Sequence, residues 1–208
     1  ELRKVLFRSA LFIAAFMVVI FLAKDFVFGK IILAPIDSDF ALYRLFDSVL
    51  VKFGLPALEP FKIELINIEL SAQFFIHIST SFYLALVISM PFIICQIWLF
   101  VKPALYDNER KAAIGAFTFA GILFFMGVLV GYYLIFPLTL RFLGTYQVSA
   151  DVANQISLQS YISMFTWLIL IMGVVFEMPS LAAILSKIGI LSKSFLKSYR
   201  KHAFVILL

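Results

Sequence analysis

The residue most in need of a chemical reason is Glu177, a lone carboxylate inside the otherwise uncharged run Val152 to Ser186. At mid-membrane a comparable Asp costs roughly 2.5–3.5 kcal/mol on insertion scales. Glu177 precedes Ser186 by nine residues, about 13 Å along a helix and well below any interface. Two roles suit it: a bond to another helix of the same chain, or a polar docking point for a partner or cargo. Glu1, Asp107 and Glu109 form a second group, as acids among clustered Lys and Arg. Asp107 or Asn108 can cap a following helix, where anions favour the positive helix end. That does not account for Glu1, which precedes a different apolar run. Two carboxylates at one surface can hold guanidinium groups through charge-assisted, bidentate bonds, and only at contact distance.

Other chemistry is thin. His77 and Ser81 are four residues apart, yet no third group is at hand to orient the imidazole, and His202 is remote. HExxH, GxSxG and Gly-rich phosphate loops are missing, so neither a hydrolase, a metal centre nor a cofactor site is expected. The single Cys95 excludes an internal disulfide and reads as a buried thiol.

What must position these residues is a set of membrane helices. Hydrophobic residues make up 63% of the 208 and charged ones 14%, against roughly 25% charged in soluble domains. One water-soluble core cannot hide that much apolar surface, whereas lipid can solvate it. Uncharged runs predict spans over about 5–23, 74–101, 112–136 and 158–185, and a fifth starting at 203. The first run is short for a ~30 Å core, but Arg8 and Lys24 can snorkel. No small-residue cleavage site follows it, so it is expected to stay as a span. With the N-terminus inside, the inner segments carry eleven Lys and Arg against three acids. The outer loops carry six against eight. The positive-inside rule therefore places the N-terminus in the cytoplasm.

The outer loop 24–73 is too long for a connector. Leu42, Leu45, Phe46, Val49 and Phe53 recur at helical spacing, opposite Arg44, Asp47, Ser48 and Lys52. Asp37, Ser38 and Asp39 offer N-cap chemistry, and Gly54 with Pro56 stops the helix. The pattern predicts an amphipathic helix over about 39–53, lying on the outer membrane surface or capping the bundle. Alternation from Phe61 to Leu65 suggests an extended segment. Pro91 and Pro179 are expected to bend their spans and Pro137 to end the third. Trp98 suits an interfacial belt and Trp167 helix packing.

Several of these segments together resemble the TatC family, the multi-spanning receptor subunit of the twin-arginine protein translocase. Glu1-Leu2-Arg3 is similar to the family element before span one, and Ala34-Pro35 to its outer-loop proline. The stretch Gln96-Ile97-Trp98-Leu99-Phe100, followed by Lys102-Pro103-Ala104-Leu105-Tyr106-Asp107-Asn108-Glu109-Arg110, looks like the family's longest motif. Tyr132-Tyr133 with Phe136-Pro137, Phe176-Glu177-Met178-Pro179 and Tyr199-Arg200-Lys201 match further elements in order. The resemblance implies an all-α, polytopic, glove-like and concave helix bundle. The family's six spans run beyond Leu208. It implies a non-enzymatic receptor that binds twin-arginine signal peptides and exports folded proteins with the proton motive force.

On that resemblance Glu1 and Glu109 would contact the paired arginines, and Arg3, Phe100 and Tyr106 would shape the cytoplasmic groove. Glu177, Phe176 and Pro179 would meet partner helices, while Pro35, Pro91 and Pro137 would be structural. The implied partners are single-span TatA and TatB subunits, signal peptides, the lipid bilayer and further copies of the chain, with no nucleic acid. The implied location is the bacterial cytoplasmic (inner) membrane rather than a thylakoid. A transporter of small molecules or ions, with Glu177 as the proton-coupling carboxylate, is the alternative from another class. The lack of repeats and of a second intramembrane charge argues against it.

Overall fold

In lipid every backbone donor and acceptor must be met within the chain, which leaves helices as the spanning elements of this apolar sequence. The computed structural model describes the backbone of residues 2–54, 56, 63–104, 107–149 and 154–187. Four helical stretches are long and apolar enough to cross a membrane: Leu2–Leu22, Ala72–Phe100, Phe117–Thr145 and Leu158–Ala183. The segment from residue 203, where a fifth span is expected, lies outside the described residues.

The first crossing is α1 (Leu2–Leu22), running outward. A single turn, α2 (Lys24–Phe26), a π-helical stretch Val27–Ile32 and a 3-10 turn Ala34–Ile36 lead to α3 (Ala41–Lys52). The long α4 (Ala72–Val101) returns inward and passes through Pro91 without a break. Next come α5 (Asp107–Val130), a π-helical stretch Gly131–Ile135 and α6 (Phe136–Thr145), one nearly continuous outward column. The inward α7 (Leu158–Lys187) contains Pro179. Short strands β1 (Leu65–Ile66) and β2 (Ile156–Ser157) pair in parallel on the outer side.

Pro137 does not stop its helix. It sits in the first turn of α6, where a missing N–H is harmless. The π-helical stretch just before it rewinds the backbone where a straight α-helix would meet the proline ring. The Asp37–Asp39 segment also differs from expectation. Asp37 Oδ1 accepts a bond from the Asp39 amide at 3.0 Å, forming a turn, and the N-cap position before Ala41 is Phe40, with no side-chain cap.

Two tight helix pairs build the bundle. Between α1 and α4, Phe92 stacks on Phe12 (centroids 4.6 Å) and His77 on Phe21 (4.0 Å). Ser81, Ala85 and Ser89 are buried on the same face of α4 at small-x-x-x-small spacing, which lets the backbones approach. Between α5 and α7 the close approach runs through Gly127, Gly131 and Gly173. A Cβ on Gly127 would stand 2.5 Å from the Met172 carbonyl oxygen and 2.8 Å from Phe176 Cβ. Most buried apolar side chains lie in the outer half, around Phe136, Tyr161 and Phe165, whose rings meet edge to face at 5.3 and 5.0 Å. The helices are fastened at the outer end, and a broad groove parts α4 from α5 toward the inner one.

Three tyrosines do much of the fastening. Winding as a π-helix and then a 3-10 turn leaves the carbonyls around Ile31 to Pro35 without the regular α-helical partners. Tyr132 Oη donates to Ile31 O at 2.9 Å, and Tyr161 Oη to Ile32 O. Tyr43 Oη shares its proton between Pro35 O (3.2 Å) and Pro137 O (3.0 Å). Burial pushes the Tyr43 phenol up to about 12, with Arg141 opposing. Because the native state favours the neutral phenol, this contribution is complete below the ordinary value near 10 and fades as pH rises toward 12. Replacing Tyr43 by Phe removes the one donor that ties Pro35 O to Pro137 O and should cost about 1–3 kcal/mol. Thermal unfolding in detergent should show that loss at neutral pH, and the wild type should approach the variant at strongly alkaline pH.

Candidate functional site

The inner ends of α1 and α4 enclose a groove of about 340 Å³ lined by Lys4, Val5, Arg8, Gln96, Leu99, Phe100, Lys102 and Pro103. The local sequence accounts for it. Phe100 ends the apolar run of α4, and Lys102–Ala104 tightens into a 3-10 turn that carries the chain toward α5. Three cations on this lining, Lys4, Arg8 and Lys102, make the groove electropositive. A basic ligand can be held there only by carboxylates that touch it. The acids at this end are Glu1, Asp107 and Glu109. Glu1 and Tyr106 lie outside the described residues. Glu109 occupies the first turn of α5, the position where an anion is favoured by the helix end. Arg3 is exposed on α1, and of the predicted groove residues Phe100 alone is on the described lining. Lys4, Arg8 and Gln96 join it unpredicted. Gln96 was within the sequence motif, and the two cations are one and five positions beyond Arg3.

Alongside, an apolar groove of about 630 Å³ separates α4 from α5, lined by Pro91, Cys95, Trp98, Phe117, Phe125 and Met126 among others. Trp98, half-buried near the inner end of α4, packs on Phe117 (centroids 5.2 Å), whereas Trp167 is exposed rather than packed between helices as expected. Cys95 is exposed rather than buried. Its groove begins near Ile114, one turn and a little more beyond Glu109.

Glu177 sits on α7 with 7% of its surface exposed. Among the described residues its Oε1 has no hydrogen-bond partner, and neither has the buried Ser180 Oγ, although Ser180 is close enough for the carboxyl to feel it. Phe176 packs within the chain, its Cβ against Gly127. Pro179 is exposed, and so are Val174, Met178 and Leu181 at i, i+4, i+7 spacing, forming an apolar stripe beside the buried carboxyl. At the outer end Pro35 is buried and accepts the Tyr43 bond. His77 donates from Nε2 to Phe21 O at 3.1 Å, satisfying a last-turn carbonyl of α1. Among the described residues, no group of three or more His, Cys, Asp or Glu is placed to hold a metal.

The chain can be set beside known proteins. Residues 1–208 match the family described as Sec-independent protein translocase protein (TatC). A TatC from Blattabacterium sp. subsp. Periplaneta americana is 37% identical over 213 residues, covering all of this chain and 80% of the relative. One from Helicobacter pylori strain J99 is 44% identical over 130 residues, 62% of this chain and 52% of that protein. The crystal structure of the twin arginine translocase receptor TatC in DDM superposes with a TM-score of 0.76 at 29% identity. It covers 99% of this chain and 82% of the other. With four spanning helices among the described residues, the same bundle architecture and a family match from end to end, this chain belongs to the TatC family of Sec-independent protein translocase subunits, multi-pass membrane proteins with a transport role.

Proposed function

We propose that this subunit is the receptor for twin-arginine signal peptides and the core on which the translocase assembles to export folded proteins. The observation that supports this most is the adjacency of two grooves of different character. The inner one is polar, lined by Phe100 and Gln96. The apolar one between α4 and α5 starts just beyond the turn that bears Glu109. A signal peptide has the same two parts, a guanidinium pair followed by an apolar stretch. Glu1 and Glu109 hold the arginines by bidentate bonds, Arg3 and Tyr106 border them, and the apolar stretch enters the bundle. The proton motive force drives export, and the membrane is the bacterial cytoplasmic one.

The single-span partners, TatA and TatB, pack on α7 along Val174, Met178 and Leu181, with Pro179 and the Glu177 carboxyl as the polar point. Further copies of the complex associate around this core. Glu109→Ala removes one charged acceptor and should weaken binding of a twin-arginine peptide by tenfold or more, from about 1.5–3 kcal/mol for a hydrogen bond to a charged group. Peptide crosslinking and pull-down with the purified protein measure it, with the twin-lysine peptide as reference. Undiminished capture by the variant, or equal capture of both peptides, would sink the assignment.

A further inference from the structure

Helix α3 buries one face for only one turn. Leu42 and Tyr43 are buried at its start, and the same apolar face continues as Phe46, Val49 and Phe53 at i+4, i+7 and i+11 from Leu42. Those three are 37%, 44% and 76% exposed. Arg44, Asp47, Ser48 and Lys52 take the other arc. Among the described residues nothing covers the rest of that apolar face, and its depth says what does.

Three of the spans carry their own ruler. A hydrocarbon core of about 30 Å takes about 20 residues of helix. Counting that length outward from the inner cations Lys102, Lys111 and Lys187 reaches Phe82, Gly131 and Trp167. Tyr132 follows Gly131, so each of these three spans brings an aromatic ring to this level, as an interfacial belt requires. Contacts between elements agree. Tyr132 meets Phe165, two residues from Trp167, at 6.1 Å. Tyr83 and Leu84, next to Phe82, line a small cavity with Phe165 and Thr166.

The start of α3 is tied to the same level. Phe40 packs on Tyr132 (5.7 Å) and Tyr133 (5.9 Å), and Tyr43 bonds Pro137 O, six residues past Gly131 and about 9 Å farther out. The start of α3 is thus held between about 2 and 9 Å beyond the hydrocarbon edge, an interval that takes in the headgroup layer of about 5–8 Å per leaflet. We infer that α3 is an interfacial anchor whose Phe46, Val49 and Phe53 face is seated in the headgroup and upper acyl region of the outer leaflet. Its arc of Arg44, Asp47 and Lys52 is nearly balanced in charge, so the seat is apolar and does not require anionic lipid.

Spin labels on the full chain test this in phosphatidylcholine liposomes, in a Cys95→Ala background. Val49→Cys and Phe53→Cys sample the apolar face, and Ser48→Cys the opposite arc. Labels at 49 and 53 should be severalfold more accessible to oxygen than to a water-soluble nickel chelate, and the label at 48 the reverse. Adding anionic lipid should leave both ratios unchanged. Chelate access at 49 and 53 equal to that at 48 would put the face in water and overturn the inference. Shielding of both sites from both reagents would overturn it too, because protein would then cover the face. Two independent labelled positions keep the outcome readable if one variant does not fold.

Discussion

Gly127→Leu should abolish the stable fold, because its first added carbon would already meet the Met172 carbonyl oxygen at 2.5 Å. Backbone on one side and Phe176 Cβ at 2.8 Å on the other cannot swing away as a flexible side chain can. Overpacking costs about 1–3 kcal/mol in cores that relax, and more where they cannot. Even Gly127→Ala should fall in that range. The other glycines set a graded comparison. At Gly173 the obstacle is the Phe124 ring at 2.7 Å, at Gly131 the Met172 side chain at 3.1 Å, and at Gly121 the space is open. Thermal unfolding of the purified Ala variants should rank 127, 173, 131, 121 from most to least destabilised. Equal stability of Gly127→Ala and Gly121→Ala would show that the α5–α7 seam does not rest on this contact. The spacing Gly127-x-x-x-Gly131 is the small-residue motif by which membrane helices approach closely.

Glu177→Met should separate stability from function. The carboxyl is buried beside Ser180, and among the described residues its Oε1 has no hydrogen-bond partner. A buried polar atom in that condition costs about 1–3 kcal/mol, which a methionine of similar shape does not incur. The isolated subunit should therefore unfold at a higher temperature with Met at 177, while export in cells falls. Such an outcome identifies the carboxylate as a group held at a cost for its role in the assembled translocase. A variant that is less stable and equally active would show instead that Glu177 is a structural bond within the subunit. The Val174, Met178, Leu181 stripe supplies a second readout: crosslinks from position 178 should reach a single-span partner in the wild type and weaken in the Glu177 variant.

The sequence was most legible where one physical rule dominates. Helices and their direction followed from apolar runs and from the placement of Lys and Arg, because lipid leaves the chain few alternatives. Local geometry was less legible where two rules compete. Pro137 reads as a stop, yet its first-turn position and the π-helical stretch before it let the column continue to Thr145. Asp37 has the chemistry of a cap, and the amide of Asp39 claims it first. Trp167 is exposed where helix packing was expected, because hydropathy does not say which face of a helix meets a neighbour. At the site, Phe100 and Glu177 stand out by type and position. Lys4 and Arg8 do not, since a cation near an inner helix end is already explained by topology. Gln96 needed the fold to bring α1 beside it.

The tyrosine fastenings also constrain the order in which the protein is made. Their partners are separated by 94, 101 and 129 residues, and β1 waits for β2 across a similar gap. The carbonyls that α2 and its π-helical extension present are synthesised early, and Tyr161 emerges only with the fourth span. Until α7 inserts, the Ile32 carbonyl lacks its Tyr161 donor. Closure of the cap therefore waits for α7, whatever the earlier helices have already packed.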